Sequence, residues 1–211
     1  MPSLSMSEEH VLVIPESVIK AIGVIDGFER DTDRFLQPIL SSDQLSYRPR
    51  STMEKDPSYK QLIPYVVMQW TDENEDVKCF TYTRGGGSGE SRLRAKRSIG
   101  VGGHISQEDA AETHADAYRA GMERELREEV QIGARYTQST EGLIYDPSNE
   151  VGRVHLGVLH RFVLERPDVT SKEAVLAEGS FVSVEQLLEE REHLETWSQI
   201  ALDALFATAT G

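Results

Sequence analysis

The stretch from Thr113 to Val130 constrains this chain more than any other. Thr113 can cap a helix with Asp116 three positions on, and Tyr118, Met122, Leu126 and Val130 recur at i, i+4, which makes one apolar row along a helix. Gly133 is a residue able to end it. Near the end of that helix runs Arg124-Glu125-Leu126-Arg127-Glu128-Glu129. At about 100° per residue, Glu128 lies about 60° to one side of Glu125 and Glu129 about 40° to the other, so three carboxylates share one arc. Such an arc is either a solvated acidic face, steadied by an Arg124–Glu128 pair at i, i+4, or a set of hard oxygen donors that converge on one cation.

Upstream sits Ser98-Ile-Gly-Val-Gly-Gly-His-Ile105, a strand-like segment that ends in glycines, where missing side chains let a backbone carbonyl approach a ligand. Strand, glycine turn, loop and carboxylate helix together resemble the signature of the Nudix hydrolase family: Gly, five residues, Glu, seven residues, Arg-Glu-(apolar)-any-Glu-Glu-any-Gly-(apolar). Arg124, Glu125, Leu126, Glu128, Glu129 and Ile132 match its second half. Counting back from Arg124, the first Gly position falls on Ala110 and the upstream Glu position on Asp116, while Gln131 stands where the late Gly is expected. An insertion of about seven residues in the loop Ser106 to Glu112 restores Gly102 and Gly103 to the pattern.

The resemblance implies an α+β fold, a Nudix-type α/β/α sandwich with a mixed sheet between helices, over residues 61–211, with residues 1–60 as an N-terminal extension packed on it. It implies Mg²⁺ or Mn²⁺ as cofactor, held by Glu125, Glu128, Glu129 and the Gly103 carbonyl, with Glu125 as ligand or base. Arg124 then orients the glutamates through a salt bridge to Asp116 or another loop carboxylate such as Glu112. Ala177-Glu178-Gly-Ser-Phe181 looks like a family segment in which Glu178 is a fourth ligand or general base; the alternative is a surface turn carboxylate. The implied reaction is attack of water on a diphosphate linkage in a nucleoside diphosphate derivative. Two other activities share the fold: an isomerase of the isopentenyl diphosphate type, for which Cys79 is a poor match, and a non-catalytic ligand-binding regulator.

Other residues are read on their own chemistry. Arg84, Arg92, Arg94, Lys96 and Arg97 gather basic charge just before the glycine turn, either to contact substrate phosphates or as solubilising charge on an exposed strand and loop. Gly85 to Gly89 reads as a flexible loop or, more sharply, a phosphate cradle, although no Gly-Lys-Ser/Thr follows. His104 either faces substrate or steadies the turn. His155 and His160 lack the spacing of ligands on one strand face, and no Gly-x-Ser-x-Gly elbow is present.

Leu62 to Trp70 and Val77 to Thr83 predict a hairpin around Asp72 to Asp76. Val11 to Ile14 reads as a strand, followed by a helix from Pro15. Gly27 to Pro57 reads as an irregular connection with one helical turn at Phe35 to Leu40. Strands are expected at Leu143 to Tyr145, Val154 to Val163 and Ser180 to Val182, then helices at Val184 to Glu190 and His193 to Thr208. The last carries the stripe Trp197, Ile200, Ala201, Ala204, Leu205, for core packing or a homodimer.

With 36 acidic and 22 basic residues the net charge is −14, which argues against a nucleic-acid polymer as partner and leaves room for a small phosphorylated substrate. A single cysteine excludes an intramolecular disulfide, no run approaches the length of a membrane span, and Met1 to His10 is unlike a signal sequence. These features fit a cytoplasmic protein with no membrane partner.

Overall fold

The computed structural model describes residues 8–84, 96–172 and 176–207. The Gly85–Gly89 run, Arg92 and Arg94 lie outside the described residues, as do the side chains of Arg84 and Glu178. In chain order the elements are β1 (His10–Pro15), α1 (Glu16–Ile22), β2 (Gly27–Glu29), α2 (Thr32–Leu40), β3 (Ser46–Pro49), α3 (Arg50–Met53), β4 (Tyr59–Thr71), β5 (Val77–Arg84), β6 (Arg97–Ser98), β7 (Gly100–Val101), α4 (His114–Glu129), β8 (Val130–Ile132), β9 (Tyr136–Tyr145), α5 (Glu150–Val154), β10 (His155–Leu164), β11 (Val169–Ser171), β12 (Leu176–Ser183), α6 (Val184–Glu189) and α7 (Thr196–Phe206).

The main sheet runs β12-β5-β4-β10-β9-β2. Among the described residues β4 pairs in parallel with the whole of β10, His155↔Gln61 to Leu164↔Trp70, and the other pairings are antiparallel, so the sheet is mixed. The predicted hairpin is β4–β5, closed by Asp72, whose carboxylate accepts from the amides of Asn74 and Asp76. One long edge of β4 is shared. β1 covers it at Tyr59–Gln61, β7 at Val66 and Val67, and β5 beyond Gln69.

Helices cover both faces, giving an α/β/α sandwich. Side chains alternate along β4: Leu62, Val66 and Met68 pack toward α2 and α4, while Tyr65 and Val67 pack toward α6 and α7. The apolar row of α4 is buried as its spacing predicts, and each such side chain contributes on the order of 1.5–3 kcal/mol. The stripe on α7 joins the opposite layer: Ala201 is fully buried and Trp197 meets the Tyr65 ring edge-on at 5.6 Å. Gly157 leaves room for that indole, since a Cβ there would lie 2.8 Å from it.

The structure differs from the sequence reading in four places. Residues 27–57 are ordered rather than irregular: β2 pairs with β9, β3 with β1, and α2 spans Thr32–Leu40, with the Asp31 side chain capping the amide of Arg34 and with Phe35, Leu36 and Ile39 buried. These short strands are polar and take their pairing from distant partners. α4 stops at Glu129 because Val130 turns into β8, and Gly133 instead donates its amide to Asp168 O at 2.8 Å. β9 begins at Tyr136, its first half being exposed and polar. The last helix begins at Thr196, after a separate 3-10 turn at Arg191–His193.

Candidate active site

The glycine turn is pressed against both β4 and α4. A Cβ on Gly102 would lie 1.7 Å from the Pro64 carbonyl oxygen, and one on Gly103 would lie 2.1 Å from Glu125 Oε2. Only glycine permits that approach. The turn fills the stretch of β4's edge between β1 and β7, and Leu12 N donates to Ile105 O at 2.8 Å to hold it there.

The inserted loop then organises Arg124. Ser106 opens a 3-10 turn, Gln107–Asp109, and its amide donates to Asp109 Oδ2 at 2.8 Å in a capping box. Asp109 takes Arg124 in a two-point grip, Nε to Oδ1 at 2.8 Å and Nη2 to Oδ2 at 2.9 Å. Nη2 also donates to the His104 carbonyl at 2.9 Å, which ties helix to turn. The expected partners, Asp116 and Glu112, are not used. Asp116 is engaged with Thr113 at the helix cap, and Glu112 is exposed, whereas Asp109, six positions after Gly103, is buried on the core side of the loop. Together these contacts hold the guanidinium pKa well above its ordinary value, the Asp109 hydrogen bonds contributing most.

Arg124 also gathers the glutamates. Its Nη1 donates to Glu125 Oε1 at 2.8 Å and to Glu128 Oε2 at 3.1 Å, so one nitrogen holds both carboxylates. Glu125 is half-buried. Burial raises its carboxyl pKa, with Glu128 and Glu9 adding to the rise and Arg124 opposing it. Glu129 closes the helix, and its carbonyl accepts from Lys172 N at 2.8 Å. The donor chemistry, carboxylates beside a glycine turn, fits a hard divalent cation, and the missing Cβ of Gly103 lets the Glu125 carboxylate lie directly against the turn. Among the described residues, however, no group of three or more His, Cys, Asp or Glu side chains converges as a metal site; Arg124 draws Glu125 and Glu128 to itself.

His104 turns its ring to His155, Nε2 to Nε2 at 3.3 Å. His155 Nδ1 donates to Val151 O at 2.7 Å, so its Nε2 accepts and that of His104 donates. Burial, with Arg50, His155 and Arg124 nearby, holds the His104 pKa down to about 3, and both rings are neutral. His155 lies far from His104 in sequence, and no local signal announces the pair. Lys96 is half-buried just ahead of β6, and Arg97 pairs with Glu190 at 2.9 Å. Cys79 is fully buried, and burial pushes its thiol up to about 12.

A mixed sheet between helices, with an Arg-Glu-x-x-Glu-Glu helix docked on a Gly-Gly turn, defines the class of hydrolase fold that the signature suggests. No family model matches the chain. Protein YmaB of Bacillus subtilis is 36% identical over 208 residues, covering 94% of this chain and 98% of its own. The crystal structure of Tm1382, described as a candidate Nudix hydrolase, superposes with a TM-score of 0.74 at 32% identity, covering 93% of this chain and 98% of that one. The chain belongs to the Nudix hydrolase family.

Proposed function

We propose that the protein is a metal-dependent hydrolase that cleaves a diphosphate linkage in a nucleoside diphosphate derivative by attack of water. The observation that carries this reading is the joint grip of Arg124 on Glu125 and Glu128 directly against Gly103. Mg²⁺ or Mn²⁺ would be held by Glu125, Glu128, Glu129 and the Gly103 carbonyl, with Glu178 as a further ligand. When bound, such an ion neutralises diphosphate charge and lowers the pKa of a coordinated water.

The chain's own residues supply the rest. Glu125, half-buried and with its pKa raised, suits a carboxylate that accepts a proton from the attacking water. Arg124 holds the glutamates and the turn in one geometry, so its role is positioning. Lys96, Arg84, Arg92 and Arg94 are assigned to the substrate's phosphates, and His104 to the substrate-facing side of the turn. Residues 1–60 are taken as an extension that completes the sheet of the hydrolase domain, 61–211, and a homodimer in the cytoplasm is the assembly and setting assigned to it. Among the described residues no helix is long and apolar enough to cross a membrane.

The isomerase reading loses support from Cys79, whose sealed, high-pKa thiol is unsuited to catalysis. A regulator would bind such a ligand without turning it over. The deciding experiment is a screen of nucleoside diphosphate derivatives with Mg²⁺ and Mn²⁺, read by phosphate release and product mass, on wild type and Glu128→Gln. Hydrolysis by wild type that Glu128→Gln loses supports the proposal. A folded Glu128→Gln enzyme with full activity overturns it.

A further inference from the structure

A groove of about 320 Å³ lies on the other side of α4 from the carboxylates. Glu123, Leu126 and Arg127 contribute from the helix and Val130 from the start of β8, and about 100° per residue puts the mean direction of the three helical residues roughly 160° round the axis from that of Glu125, Glu128 and Glu129. It is therefore a separate place on the molecule.

Its lining is unusual for a solvent-facing groove. Tyr136 lies flat on buried Phe162, ring centroids 4.5 Å apart and planes 13° from parallel, and 43% of Tyr136 is exposed. One ring face is thus backed by the core, and the side chain is open to a planar partner. Beside it on β9 is Gln138, whose amide has no partner among the described residues, leaving a donor and an acceptor free. Arg127 spends Nε on the Glu123 carbonyl at 3.2 Å, while its two terminal nitrogens have no partner among the described residues. Glu123 lines the same groove and brings a carboxylate to it or to its rim.

We propose that this groove is a second binding site, for a nucleoside monophosphate. The base stacks on Tyr136 and presents its edge to Gln138, the ribose hydroxyls donate to the Glu123 carboxylate, and the phosphate takes the open fork of Arg127. The charge balance selects the monophosphate: one guanidinium beside one carboxylate suits a single phosphate better than a polyphosphate chain. The volume is at the small end of ligand pockets, again suiting a compact nucleotide. The site needs no metal and does not depend on the hydrolytic reading.

The test is calorimetric titration of the full chain in EDTA with AMP, adenosine and inorganic phosphate as probes. AMP binds one to one. Tyr136→Ala weakens AMP about ten-fold or more, the scale of one lost stacking contact. Arg127→Gln weakens AMP but leaves adenosine unchanged, Gln138→Ala weakens both, and Glu128→Gln alters neither. Thermal melts establish that each variant is folded, and Gln138→Ala keeps the test decisive if Tyr136→Ala is not. Absence of AMP binding at millimolar concentration overturns the proposal, as does binding that Glu128→Gln abolishes and the three groove variants retain.

Discussion

Arg124 and Asp109 are joined by two parallel hydrogen bonds, at 2.8 and 2.9 Å, between a helix and an inserted loop. Asp109 is nearly buried and Arg124 mostly so, which makes the pair sensitive to loss of either partner. Asp109→Ala strands a guanidinium and a cap at once, and is expected to cost about 3 kcal/mol. Urea unfolding measures this. Asp109→Ala with a wild-type midpoint would show that Glu108, 3.6 Å from the same nitrogen, can take over.

Gly103→Ala is expected to preserve the fold and remove activity. The new methyl would occupy the place of Glu125 Oε2, so the flexible carboxylate moves and the backbone stays. Displacement of a reacting group by about 1 Å costs on the order of 100-fold in rate. Turnover assays beside a thermal melt check it, and an active Gly103→Ala protein would remove Glu125 from the site.

Stability should fall with acid. His160 is 7% exposed, bonded to Tyr118 Oη at 2.9 Å, and burial lowers its pKa to about 4 from an ordinary 6.5. Below 6.5 the unfolded chain takes up a proton that the folded chain refuses, so stability is complete above that pH and is lost as pH falls toward 4. The loss from this residue is at most about 3 kcal/mol. His104 and His155, also lowered, act in the same direction. Urea midpoints at pH 7.5 and 5 should differ more for wild type than for His160→Asn; equal differences would clear His160 of the effect.

Cys79 should be inert in the folded protein. Its thiol is buried beneath the α6 and α7 layer, and burial pushes its pKa up to about 12, so a thiol reagent at pH 8 reacts only after unfolding. Cys79→Ala should retain turnover. Rapid labelling of native protein, or loss of activity in a folded Cys79→Ala protein, would revive the cysteine-dependent isomerase.

What could be read from the sequence was local. The α4 row and Thr113 cap are written in one helical period, and the β4–β5 hairpin in two β-rich runs about a polar turn. The glycines were legible as a place of close approach, though the sequence reading had a ligand there and the structure has the Glu125 carboxylate. The partner of Arg124 was not legible: Asp109 follows Gly103 by five intervening residues, where the signature has its upstream Glu, but seven extra residues between Asp109 and Arg124 hide the match when the pattern is counted back from the helix. β3 escaped notice because its pairing comes from β1, and the His104–His155 contact because fifty residues separate its halves. The groove behind α4 escaped for the same reason: Tyr136 and Phe162 meet only when β9 lies on β10.

The glycine turn occupies a vacancy in the middle of a strand's flank instead of hanging from the end of a sheet. Pro64, beneath it on β4, has no N–H to offer, so β4 leaves that place free of a ladder bond, while Leu12 secures the far end of the turn through Ile105. The glycine turn is consequently seated between β4 and the carbonyl bond of Ile105 to Leu12. Asp109 adds a third hold from the loop, through Arg124 and the His104 carbonyl, so a chain deprived of β1 would lose one mooring of the turn and keep the other two.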